Sequence, residues 1–132
     1  MKKDIQSRED IFLLVDTFYK KVRKDALIGP IFNSQIDNWP EHLEKLTDFW
    51  ETNLLFERKY KGNPLLAHQL VDEKSNFSVE QIHFGTWLNL WYATIDNLFE
   101  GENASTAKRR ARKMSTFMFL KIFENRSLKK QT

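Results

Sequence analysis

Three histidines, His42, His68 and His83, are the chain's strong nitrogen ligands for a metal, and there is no cysteine to join them. Disulfides, thiolate metal sites and cysteine nucleophiles are therefore excluded. None of the histidines stands in a local zinc pattern such as His-Glu-x-x-His, and without thiolates a structural zinc site would need carboxylates scattered over polar faces. No paired-carboxylate arrangement, glycine-rich phosphate loop or activated-serine motif occurs. What remains is a set of polar tips in apolar helical faces: Tyr19 directly after Phe18, His42 near Leu46 and Phe49, His68 in an apolar half-turn, and Trp87 among apolar neighbours. Taken singly, each reads more simply as a core residue whose polar end reaches a partner.

The composition narrows what such a set could serve. Eleven Phe, four Trp and three Tyr call for either a dense aromatic core or a pocket for a large flat ligand. With 132 residues, 41% hydrophobic and 30% charged, the chain fits one soluble globular domain. The formal net charge of +3 owes much to Lys108, Arg109, Arg110, Arg112, Lys113 and the tail Lys129-Lys130. Such a run attracts anions, but on a helix it more simply forms the solvated face. Charged residues follow Met1 where a secretory leader needs an apolar stretch, and no window approaches the ~18 apolar residues of a membrane span. A cytoplasmic location with no membrane partner is the expectation.

These side chains need helices to position them. Ser7 to Asp10 is a helix-start signal, and Ile11, Leu14, Val15, Phe18 and Val22 follow at helical spacing. Gly29-Pro30 breaks the run, and Ile31 to Asn33 is read as a crossing segment. Asn38 or Asp37 can cap a second helix with Pro40 in its first turn and an apolar stripe of Trp39, Leu43, Leu46, Phe49, Trp50 and Leu54. A short apolar piece, Leu65 to Leu70, follows Pro64, and the polar stretch Asp72 to Asn76 reads as a loop. Ser78 with Gln81 forms a capping box and Phe77 with Ile82 a hydrophobic staple, opening a helix that carries Phe84, Trp87, Leu88, Trp91, Ile95, Leu98 and Phe99. Gly101 terminates it. The last helix starts near Asn103 or Ser105 and is expected to bury Ala107, Ala111, Met114, Phe117, Met118 and Ile122. No stretch alternates like a strand, so the fold class is all-α.

Read in order, these residues form a pattern. Phe18-Tyr19, Gly29-Pro30-Ile31-Phe32-Asn33, Trp39-Pro40-Glu41-His42, Phe49-Trp50, Tyr60-Lys61-Gly62-Asn63-Pro64-Leu65-x-x-His68 and His83-Phe84-x-x-Trp87-Leu88 together resemble a group III truncated haemoglobin. The resemblance spans residues ~8 to ~125 and implies a shortened globin, two helices over two around haem b, as a single domain over 1–132 with a flexible basic C-terminal tail. It implies His68 as the proximal iron ligand, and Tyr19, His42 and Trp87 on the distal side. Phe32 would wedge the haem, with Phe18, Leu46, Phe49, Trp50 and Phe84 as further wall residues and Tyr60 and Lys61 at the propionate edge. His83 is a rival ligand, but it lies one turn before Trp87 and so would approach the same side of the ring. The polar stretch after Val71 departs from the Leu/Pro-rich turn common in relatives.

Ferrous haem takes one neutral imidazole and leaves its sixth position to a diatomic gas. The resemblance therefore implies a haem protein binding O2, NO or CO, with O2 retained tightly by donors from Tyr19 and Trp87. The same pocket could instead serve as an NO dioxygenase or peroxidase drawing on an external reductase, since the chain holds no reductase or flavin motif. A haem-free helical module binding nucleic acid through Lys108 to Lys113 is the alternative from outside haem chemistry. The oligomeric expectation is a monomer or weak dimer.

Overall fold

The computed structural model describes residues 2–55 and 81–130, with side chains treated as far as residue 120. The described residues form five helices: α1 (Arg8–Lys24), α2 (Gly29–Gln35), α3 (Trp39–Leu55), α4 (Gln81–Leu98) and α5 (Glu102–Lys130). There is no strand among them.

Each start follows from local chemistry. Ser7 caps α1 by accepting from the Asp10 amide at 3.2 Å. Asn38 caps α3, accepting from the Glu41 amide at 3.1 Å while its own amide nitrogen donates to Glu41 Oε2 at 3.3 Å. The segment read as a crossing is instead the two-turn α2. Asp25 Oδ1 accepts from the amides of Leu27 and Ile28, which turns the chain, and Pro30 sits in the first turn, where its missing N–H costs nothing. The staple residue Phe77 and the capping Ser78 lie outside the described residues, as do the 65–70 piece and the 72–76 stretch.

α1 packs against α2, α3 and α4, α4 packs against α5, and α3 against α5. The four long helices thus form two pairs, α1–α3 and α4–α5, joined through α1–α4 and α3–α5. The shared interior holds Ile11, Leu14, Val15, Phe18 and Val22 of α1, Trp50 and Leu54 of α3, Trp91 and Ile95 of α4, and Ala104, Ala107 and Ala111 of α5. Phe117, expected inside, is 52% exposed. Helical advance explains the correction: Ala107, Ala111, Ser115 and Met118 face inward, which turns 117 away.

Two polar assemblies fix the pairs. Arg8 reaches from α1 to α3, donating through Nη1 to Asp48 at 2.7 Å and Glu51 at 3.1 Å and through Nη2 to Glu44 at 2.8 Å. At the other end, Asp4 caps α5 from outside the helix. Its carboxylate accepts from the amides of Asn103 and Ala104, both at 2.9 Å, and Asn103 Nδ2 returns a bond to Ile5 O at 2.7 Å. Gly101, at φ +145°, lets the chain pass beneath this carboxylate; a Cβ there would lie 2.5 Å from Asp4 Cγ.

Candidate functional site

The stripe that buries α1 also buries Tyr19, 6% exposed, one residue after the fully enclosed Phe18. Around its ring gather Phe18 at 4.7 Å, His42 of α3 at 5.5 Å, Trp39 at 5.8 Å and Phe32 of α2 at 5.9 Å between centroids. Trp39 and His42 also meet edge-on at 5.5 Å, one helical turn apart. Three helices thus converge on one phenol. Phe18 carries the cluster across to α4, meeting Trp87 edge-on at 5.4 Å.

Electrostatics in the cluster follow from burial. Burial pushes the Tyr19 phenol from an ordinary 10.0 up to about 12, and the nearby Trp87 indole offsets part of that rise. That indole is close enough to favour negative charge on the phenol oxygen, yet it does not meet the geometry of a hydrogen bond: Trp87 Nε1 is buried with no hydrogen-bond partner among the described residues. A buried donor in this condition is rare and costs about 1–3 kcal/mol.

The outer wall is also held in place. Arg23 of α1 lies over Trp39 at 4.5 Å from the ring centroid. Its Nε donates to Asn33 Oδ1 at 3.2 Å, and Asn33 Nδ2 donates back to Arg23 O at 3.1 Å. Trp39 is therefore in contact with Arg23, Tyr19 and His42. Asn33 stands in the ordered motif, but its bonds to Arg23 and the Arg23–Trp39 contact were not legible, because a cation–π contact and a side-chain bond ten residues apart leave no periodic signal.

Of the residues singled out from sequence, Tyr19, His42 and Phe32 come together directly and Trp87 joins them through Phe18. Leu46 and Phe49 are half-buried on α3, and Phe84 and His83 half-buried on α4. Trp50, read as a pocket wall, is 3% exposed and stacked on Trp91 at 4.8 Å. His68, Tyr60 and Lys61 lie outside the described residues.

The helix pairing and the aromatic, donor-lined cluster between its layers define an all-α, globin-like protein. No family model matches the chain. Among curated proteins, group 3 truncated hemoglobin ctb of Campylobacter jejuni is 33% identical over 120 residues, 88% of this chain and 91% of that protein. Among solved structures, the group III truncated hemoglobin from Campylobacter jejuni superposes with a TM-score of 0.82 at 32% identity, covering 92% of this chain and 95% of that one. The chain belongs to the group 3 truncated haemoglobins.

Proposed function

We propose that this chain is a haem b protein that binds O2 and other diatomic ligands, NO and CO, with O2 released slowly. The buried Nε1 of Trp87, without a partner among the described residues, beside the buried Tyr19 phenol carries the reading. An indole N–H without a partner among the described residues, beside a buried phenol, suits a small polar ligand that accepts from it. His68 would hold the haem iron, Phe32 would press on the ring, and Phe18 would back the distal side. Ferrous haem held there would supply the iron that binds a diatomic gas and would make bound O2 a strong hydrogen-bond acceptor.

Tyr19 and Trp87 do the discriminating work. A hydrogen bond to a charge-bearing acceptor is worth about 1.5–3 kcal/mol, so two such bonds slow release by ~10²-fold or more. CO accepts such bonds poorly and gains little from them. Tyr19, protonated at neutral pH as any phenol is and held so further into alkali by burial, remains a donor. Retention of that kind suits sensing, scavenging or redox use better than bulk delivery.

The edge-on meeting of Tyr19 with His42, two groups able to carry a proton, also favours a second reading, oxidation of NO or reduction of peroxide with an external reductase. The deciding experiment is spectroscopic. The purified chain, supplied with haem, is expected to show a Soret band that shifts between oxidised, reduced and CO-bound forms, and His68→Gly to alter it. No Soret band ends the haem reading, and a band indifferent to His68→Gly ends the ligand assignment.

A further inference from the structure

Trp91 has no part in the pocket, yet it sits at the centre of three indoles layered face to face. Trp87 and Trp91 lie 6.1 Å apart with their planes 7° from parallel, and Trp91 and Trp50 lie 4.8 Å apart at 25°. Among the described residues, the ring contacts of Phe18 are edge-on, with interplanar angles of 77° to Tyr19, 88° to Trp87 and 81° to Trp91. Both arrangements are ordinary ways to pack aromatic rings, so packing alone does not require face-on indoles. Face-on overlap differs in one respect: it couples the π systems of adjacent rings, and indole is among the most readily oxidised of side chains.

We propose that Trp87, Trp91 and Trp50 form a relay for single electrons between the pocket and the α3–α4–α5 interior, the route by which electrons would reach peroxide in the second reading above. The proposal rests on the haem reading above. Hydrogen peroxide is the oxidant: its O–O bond breaks and two waters form, taking two electrons and two protons. The stack supplies the electrons one at a time, each leaving a tryptophanyl cation radical, and the protons come from solvent. An external one-electron donor then refills the stack.

The surroundings suit movement of charge without movement of a proton. Trp91 Nε1 donates to the Ala107 carbonyl at 3.2 Å, an acceptor inside α5 that is no base, so the oxidised indole keeps its proton. Trp91 is 1% and Trp50 3% exposed, which keeps water away from the radical. Trp87 places the other end of the stack at the pocket, 5.4 Å from Phe18.

The relay is tested in the full chain loaded with zinc protoporphyrin, photo-oxidised by a flash in the presence of a cobalt(III) ammine as electron acceptor. The porphyrin cation is expected to decay as a long-lived tryptophanyl radical appears, with an electron paramagnetic resonance signal that narrows when the indoles are deuterated. Trp91→Phe is expected to lose the long-lived radical, and Trp91→Tyr, which keeps an oxidisable ring, to restore part of it. Trp50→Phe, which shortens the stack from its far end, should reduce the radical's lifetime and serves if the Trp91 variants fold poorly. A wild-type radical that narrows only on tyrosine deuteration, no radical at all, or an unchanged radical in folded Trp91→Phe overturns the relay and leaves the haem reading standing. Failure of the chain to retain the zinc porphyrin overturns both.

Discussion

Tyr19 titrates far from neutrality because burial disfavours its anion, and this has a measurable consequence for folding. An acid whose folded pKa is raised, here from 10.0 to about 12, holds its proton more tightly when native. Its contribution to stability is fully present below pH ~10 and is lost as pH rises through about 12. Alkaline titration followed by tyrosinate absorbance should show a late step near the upper end of that window, abolished by Tyr19→Phe. A variant that keeps the late step would show that another phenol produces it. The same residue carries the ligand prediction. Tyr19→Phe and Trp87→Phe are each expected to speed O2 release by about tenfold to a hundredfold, from the ~1.5–3 kcal/mol of one charge-assisted bond, and CO release far less. An unchanged O2 release rate in the double variant contradicts the distal assignment.

Between elements, the closest fit lies where Asp4 caps α5 over Gly101. Desolvation raises the Asp4 pKa, but bonds from the amides of Asn103, Ala104, Ile5 and Glu102 lower it further, so the net shift is downward. Its stabilising contribution is present above the ordinary carboxylate pKa and fades as pH falls through the depressed value. Asp4→Ala is expected to cost about 0.5–2 kcal/mol, the usual value of a helix cap. Gly101→Ala should cost more, because it both strains a φ of +145° and displaces the Asp4 carboxylate. Since both act on one contact, the double variant should cost less than the sum of the singles in denaturant unfolding. Strict additivity would mean that the cap and the glycine are independent.

Helix starts at Ser7 and Asn38 were readable because a cap is a local event, complete within four residues. The Asp4 cap was not, because its donors lie about 100 residues away in sequence. α2 was missed for a related reason: its start is made by an Asp25 side-chain turn rather than by apolar periodicity. The Tyr19, His42 and Phe32 set was legible as an ordered motif. Its geometry depended on three helices converging, and the Trp39–Arg23 contact on a spatial neighbour that no spacing encodes.

At the scale of the whole molecule, a ligand that fills the space between the helix pairs should report on the fold itself. Trp87, Trp39, His42 and Phe32 are only half-buried, and Trp87 Nε1 lacks a partner among the described residues, which is where a ligand would add contacts. Haem binding to the native state alone stabilises it by ~4 kcal/mol at about a thousand times its Kd, which for a chain of this size raises Tm by about 10–20 °C. The nucleic-acid alternative makes the opposite forecast, no shift with haem and a salt-sensitive shift with a DNA oligonucleotide through the exposed Arg109, Arg110, Arg112 and Lys113. Trp87→Phe separates the pocket from simple packing. Without haem the variant sheds an unsatisfied buried donor along with its ring bulk, so its Tm should fall less than that of Trp91→Phe, whose N–H is bonded to Ala107. With haem and O2 the order should reverse in the ligand release rate, where only Trp87 has a bond to lose. Calorimetry of both variants with and without haem, paired with O2 release kinetics, would find equal thermal losses and equal release rates if the two indoles served packing alone.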